Sequence, residues 1–423
     1  MPRTHPPTPG ARQVGGRTIA ALGLGQIVGW GTTHYMPAVL TAPIATGLNL
    51  SPTAVLGAFS WGLMVAGLSA RPAGRLMDRL GARKVMGAAS VIAAAGLLTL
   101  SLAQGLAGLL AGWTLLGLAL RSILYDGAFA ALTVLAGSQA RRAISLLTLL
   151  GGLASTVFWP TGHWLDSAFG WRQTLAIYAL LNLLVCLPLY WRFAGGPAVY
   201  PADTGDNPPG HGEGQGQSPY GHGLLVADHP RRVALWLLGV AFTLQAFVAS
   251  TMGAHLIMLL DGLGLGTAVV VSAAALMGVA QVIARLIEML TQRWFDMVAV
   301  APPAMGLLPA SFIVALISPG SPVAATLFVI LYGCANGLIT IVRGSLPLAV
   351  FGSRGYGELL GTVAGPALAV AALAPTVFSA LVQATGPRTG LTLLAALSLG
   401  SFATIVALAV YVRRQESRTP ARR

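Results

Sequence analysis

From Thr18 to Val412 the chain is a near-continuous succession of apolar runs, each long enough to cross a bilayer, divided by short polar gaps. A hydrocarbon core of ~30 Å takes about 20 helical residues. By that ruler the segments are 18–45, 52–73, 84–103, 106–136, 143–168, 170–193, 232–260, 267–290, 296–318, 321–350, 355–383 and 387–412. Lipid offers no water to satisfy backbone N–H and C=O groups, so a spanning segment is either a helix or a strand of a closed barrel. These runs are too long and too evenly apolar for barrel strands, which are short and alternate in character. The expected fold class is an all-α membrane protein with twelve transmembrane helices.

Charge agrees with this reading. The chain is 55% hydrophobic and 9% charged, whereas a soluble domain carries roughly 25% charged residues. A net charge of +13 would point to nucleic acid in a soluble protein. Here the cations stand in short gaps between apolar runs, so the partner is the lipid bilayer and no nucleic acid is expected.

The distribution of cations sets an orientation. With both termini cytoplasmic, the inner side holds Arg3, Arg12 and Arg17; Arg71, Arg75, Arg79, Arg83 and Lys84; Arg141 and Arg142; Arg192, Arg231 and Arg232; Arg285 and Arg293; Arg343 and Arg354; and Arg413, Arg414, Arg418, Arg422 and Arg423. Arg172 and Arg388 fall at outer ends, and Arg121 falls inside a segment. Such a bias places basic loops inside. Lys84 is the single lysine, a usage that points to GC-rich codons and a bacterial source, hence a multi-pass protein of the bacterial inner membrane. The first apolar run is too long for a signal-peptide core and is expected to remain as helix 1. Cys186 and Cys334 each lie inside an apolar run and form neither a disulfide framework nor a metal spacing. No metal and no cofactor are expected.

The expected organisation is a cytoplasmic tail (1–17), a six-helix bundle (18–193), a cytoplasmic flexible linker (194–231), a second six-helix bundle (232–412) and a cytoplasmic tail (413–423). Gly, Pro, Gln and acidic residues dominate the linker. Its His211, His222 and His229 are too loosely spaced for a metal site. The two bundles echo each other. Gly74-Arg75-Leu76-Met77-Asp78 matches Ala284-Arg285-Leu286-Ile287-Glu288, Leu80 and Arg83 match Leu290 and Arg293, Pro160 matches Pro375, and Gly47 matches Gly262. A recurring offset of this kind marks two parallel, pseudo-symmetric repeats.

The stretch Gly74-Arg75-Leu76-Met77-Asp78-Arg79-Leu80-Gly81-Ala82-Arg83-Lys84 resembles the loop signature of the major facilitator superfamily, G-x-x-x-D-R-x-G-R-[RK]. It departs from that signature at Ala82, and Arg83-Lys84 follow one position later. Gly74 and Gly81 permit close helix approach and a tight turn. Asp78 can accept bonds from a helix N-terminus or from Arg. The resemblance implies a latch of Gly74, Asp78, Arg79, Gly81, Arg83 and Lys84 that ties the halves together on the cytoplasmic side. Arg285 and Glu288 are its counterparts in the second half, with Glu288 facing Arg141 or Arg142. Gly29-Trp30-Gly31 to Thr33-His34-Tyr35, and Ala254-His255-Leu256 with Asp261-Gly262, look like the bacterial monocarboxylate and oxalate/formate porter branch.

In that superfamily helices 1, 4, 7 and 10 line a central cavity. The resemblance therefore places Gln26, His34, Tyr35, Arg121, Tyr125, Asp126, His255, Asn336 and Arg343 around the substrate and the coupling proton. An ionisable group at mid-bilayer costs roughly 2.5–3.5 kcal/mol on insertion scales, so each one needs a reason. A guanidinium suits a carboxylate bidentately, which gives Arg121 the capture of an anionic group. The i to i+5 spacing of Arg121 and Asp126 is poor for a contact along one helix, so a cross-helix partner is expected for Arg121. The repeat sets Asp126 opposite Arg343. Asp126, His34 and His255 are candidates to carry a proton.

These residues imply a secondary transporter rather than an enzyme. It would work by alternating access on a small organic anion such as a monocarboxylate, with H+ as coupling ion, and a monomer suffices. An efflux pump for toxic or metalloid compounds and a membrane sensor that binds without transport remain open at this stage. No G-x-x-x-x-G-K-[ST] loop for a nucleotide is present.

Overall fold

The computed structural model describes residues 14–195, 224, 228–261 and 267–418. Arg3, Arg12, His211, His222, Gly262, Arg422 and Arg423 lie outside the described residues, as do the side chains of His229 and Asp261. Among the described residues the ordered elements are all helical.

The helices form twelve rods among the described residues. Helix 1 has two α pieces, Gly16–Gly29 and Pro37–Leu48, joined through a π turn at Trp30–His34. Helix 2 is Pro52–Leu80 and helix 3 is Ala82–Ser101. Helix 4 is Leu106–Ile123 and Tyr125–Ala136; helix 5 is Ala140–Gly151 and Ala154–Phe169. Helix 6 is Trp171–Leu181 and Leu187–Phe193 around a second π turn, Asn182–Cys186. Helices 7 to 12 are Asp228–Asp261, Thr267–Thr291, Met297–Ile317, Pro322–Phe351, Tyr356–Thr385 and Pro387–Arg418. Nine described stretches are long and apolar enough to cross a membrane, and one of them, Leu106–Phe169, runs 64 residues and so holds two passages.

Local chemistry explains where rods begin and end. Ser51, Asp296 and Ser321 cap helices 2, 9 and 10 by accepting the N–H of Ala54, Ala299 and Ala324. Helices 5 and 11 end at Gly170 (φ 82°, ψ 164°) and Gly386 (φ 88°, ψ 164°), matching turns in the two halves that only glycine adopts readily. Gly81, at φ 83°, separates helices 2 and 3 in a single residue. Helix 2 therefore continues to Leu80, past the expected end at 73, and Gly74 and Asp78 stand on a helix rather than in a loop.

Buried apolar side chains fall into two clusters. One runs from Leu22 to Ala194 and takes in Leu348, Tyr356, Leu360 and Ala372 of helices 10 and 11. The other is built from Ala234 to Val412. The four borrowed residues mark where the second half packs against the first.

Candidate functional site

Helices 2 and 11 meet through backbone. Gly67, Ala70 and Gly74 face Gly365, Gly361 and Gly357; a Cβ on Gly67 would stand 2.9 Å from Gly365 O, and one on Gly74 would clash with Gly357 O. This approach brings Asp78 onto the first turn of helix 11. Its carboxylate accepts the N–H of Gly357 at 2.9 Å and of Glu358 at 2.8 Å. Those N–H groups have no partner within their own helix, and the helix dipole favours an anion there. Glu358 in turn pairs with Arg71 at 2.9 Å and Arg75 at 2.8 Å, all three partly exposed.

Helices 5 and 8 make the matching contact. Glu288, 3% exposed, pairs with Arg141 at 2.9 Å and accepts from Ser145 Oγ at 2.8 Å. Arg141 also donates to Phe295 O at 2.6 Å, so its charge sits beyond the C-terminal end of helix 8. An acid at one helix N-terminus and a cation at one helix C-terminus thus hold the two halves at the same, basic end. Arg79, Arg83 and Lys84 are exposed at that end, and Gly81 makes the turn.

Just beneath this contact lies an ion triad around a buried acid, with Arg343 partly exposed. Helix 4 breaks at Leu124 (φ −91°, ψ −164°). The break brings Arg121 onto Asp126 of the same helix, a direct pair that an unbroken helix would not make at this spacing. The expectation of a cross-helix partner for Arg121 is corrected by that break. Asp126 is 9% exposed and also takes Arg343 of helix 10, with Nη2 at 3.2 and 3.1 Å from its two oxygens. One carboxylate thus serves two guanidinium groups, one from each half.

A second group of side chains gathers around helix 1. A π turn sets residues i, i+4 and i+5 on one side, and here these are Trp30, His34 and Tyr35. Their ring centroids lie 4.9 Å (Trp30–His34), 5.9 Å (Trp30–Tyr35) and 5.7 Å (His34–Tyr35) apart. Trp30 meets Tyr125 of helix 4 at 5.0 Å, His34 meets Phe59 of helix 2 at 5.8 Å, and Tyr35 meets Trp159 of helix 5 at 6.1 Å. Tyr125 Oη donates to Thr148 O at 3.4 Å, and Arg285 Nη1 donates to the same oxygen at 2.9 Å. Arg285 Nε donates to Gly337 O at 3.3 Å.

Arg285 is 5% exposed, and no carboxylate among the described residues lies within ion-pair distance of it. The repeat aligns it with Arg75 of the latch. The structure instead puts it inside, between helices 5, 8 and 10, beside Tyr125. Its bond to Thr148 ties helix 8 to helix 5 across the halves, as a latch residue would, but no acid partners it among the described residues.

Two expected cavity residues turn inward to their own bundles. Gln26, fully buried, donates to Ile123 O at 2.9 Å and to Tyr190 Oη at 3.5 Å, which fastens helix 1 to helices 4 and 6. His255 Nε2 lies 3.1 Å from Pro375 O, and its ring rests on Phe378 at 5.5 Å, which fastens helix 7 to helix 11. Asn336 is half-buried on helix 10, one residue before the Gly337 that receives Arg285.

Helices long and apolar enough to cross a membrane, with charges placed where the halves meet, define a multi-pass membrane protein. The sequence pattern of the Major Facilitator Superfamily matches residues 22–365, and the chain belongs to that superfamily. No curated protein matches the sequence. Three solved structures show the same fold. The human organic anion transporter MFSD10 (TETRAN) is 16% identical, with 92% of this chain and 99% of that one covered at a TM-score of 0.65. The proton:xylose symporter XylE bound to 6-bromo-6-deoxy-D-glucose is 13% identical, with 94% and 96% covered at 0.66. FucP in the outward conformation is 14% identical, with 94% and 98% covered at 0.63. The chain is a transporter and not an enzyme.

Proposed function

We propose that the chain carries a small organic anion, of the monocarboxylate type, across a bacterial inner membrane by alternating access, with H+ as coupling ion. Arg285 carries this reading. A guanidinium has five N–H donors and cannot shed its charge in a protein. Arg285 spends two of its donors on carbonyl oxygens and has no acid beside it among the described residues. A buried cation without a counter-ion is costly, and an anionic substrate supplies the missing charge.

Arg121, proposed from sequence for that role, already has Asp126 as partner. The triad of Arg121, Asp126 and Arg343 serves coupling instead. A proton on Asp126 removes the charge that holds Arg343 and loosens one tie between the halves. Asp78 on helix 11, and Glu288 on Arg141, form the latch. With the basic end cytoplasmic, the contacts at that end describe a carrier closed toward the cytoplasm, and transport requires them to part. A single chain holds both halves of the site, so a monomer suffices. The test is uptake of labelled monocarboxylates into proteoliposomes with and without an imposed pH gradient. Saturable uptake that the gradient drives supports the reading; no uptake of any organic anion removes it.

A further inference from the structure

Aromatic residues make up 7% of the chain, yet the π turn of helix 1 collects Trp30, His34 and Tyr35 on one face and sets them against Tyr125. Each of these four is partly buried. The face is flanked by helix 2, through Phe59, and helix 5, through Trp159. These flanking helices also carry contacts to the other half, helix 2 to helix 11 and helix 5 to helix 8, the latter through its Ala140–Gly151 piece. The indole N–H of Trp30 is buried and has no hydrogen-bond partner among the described residues. A buried donor left unpaired is costly unless a ligand pairs with it. Arg285 shares the Thr148 carbonyl with Tyr125, so the ring wall and the unpaired cation adjoin. π turns are frequent at functional sites because they re-aim side chains in this way.

We infer that the site takes an organic anion bearing an aromatic ring, an aryl or arylalkyl carboxylate, rather than a short aliphatic acid. The inference rests on the organic-anion reading above and sharpens it. The carboxylate meets Arg285, and the ring lies against Trp30 and Tyr125 in the offset or edge-on geometry that aromatic pairs prefer. The indole N–H donates to a polar substituent or to the carboxylate itself.

Equilibrium binding to the full-length protein in nanodiscs tests this, with benzoate and phenylacetate against acetate and lactate. The aryl acids are expected to bind about tenfold or more tightly than the aliphatic ones, the gain that one or two aromatic contacts supply. Trp30→Leu is expected to bring aryl-acid affinity down to that of the aliphatic acids, whereas Trp30→Phe retains most of the preference. Thermal unfolding of each variant establishes that it is folded. Aliphatic acids binding as tightly as aryl acids, with Arg285→Gln abolishing both, overturns the aromatic inference and leaves the organic-anion reading standing. Binding of none of the four overturns both.

Discussion

Arg343 of helix 10 reaches across the contact between the halves to both oxygens of Asp126, at 3.2 and 3.1 Å, while Arg121 holds the same carboxylate from its own helix. The acid is the hub and the two cations are not equivalent to it. Removing one partner of a buried ion pair costs about 3–5 kcal/mol, because the other charge is stranded. Asp126→Asn strands the buried Arg121 and also frees the partly exposed Arg343, whereas Arg343→Gln leaves Asp126 its pair with Arg121. Thermal or denaturant unfolding of the purified protein should show Asp126→Asn clearly less stable than Arg343→Gln. Equal losses would contradict the hub arrangement.

The glycine contact between helices 2 and 11 has no give. At Gly74 an added side chain meets the backbone of Gly357, which cannot move without the helix that carries it. Gly74→Val is expected to push the basic end open and so to shift the population toward that state. The readout is maleimide labelling of a cysteine placed at Met77, 6% exposed here, in a background without the two native cysteines. Faster labelling with Gly74→Val is the expected result, and unchanged labelling would show that this contact does not hold the end shut.

The two ionic contacts at that end should differ in worth. Glu288 and Arg141 have side chains only 2% and 11% exposed, so a double-mutant cycle between them should give coupling of about 1–3 kcal/mol. Glu358 and Arg71 are 35% and 55% exposed. Partly exposed pairs gain less and are screened by salt, so that cycle should give under about 1 kcal/mol and shrink further at high ionic strength. A larger coupling for Glu358 would reverse this ranking.

Much of the architecture was written in the chain because lipid is a demanding solvent. Apolar run length sets helix length, and the spacing of basic gaps sets the count. Helix rotation and local breaks are another matter. In a helix that is apolar nearly all round, little in the pattern says which face meets a neighbour, so Gln26 and His255 looked as suited to a cavity as His34 and Tyr35. The kink at Leu124 and the π turns at Trp30–His34 and Asn182–Cys186 carry no local sequence signal. Asn182 donates to Thr32 Oγ1 at 3.0 Å, so the two turns touch across the packing of helices 1 and 6. Arg75 and Arg285 show the same limit. They match in the repeat, yet one is exposed on Glu358 and the other is buried without an acid among the described residues. The repeat conserves position along a helix, and the neighbouring half decides the environment.

Arg285 is where the functional account is most exposed to test. The direct measurement is uptake of a labelled carboxylate into proteoliposomes by the unaltered protein and by Arg285→Gln, with Arg285→Lys as the variant that keeps the charge but loses the planar fork. Saturable uptake is expected from the unaltered protein, with a loss of about tenfold or more in apparent affinity for Arg285→Gln, the worth of one charge-assisted hydrogen-bonded contact, and partial recovery with Arg285→Lys. Folded Arg285→Gln protein that takes up the anion with unchanged affinity would contradict it.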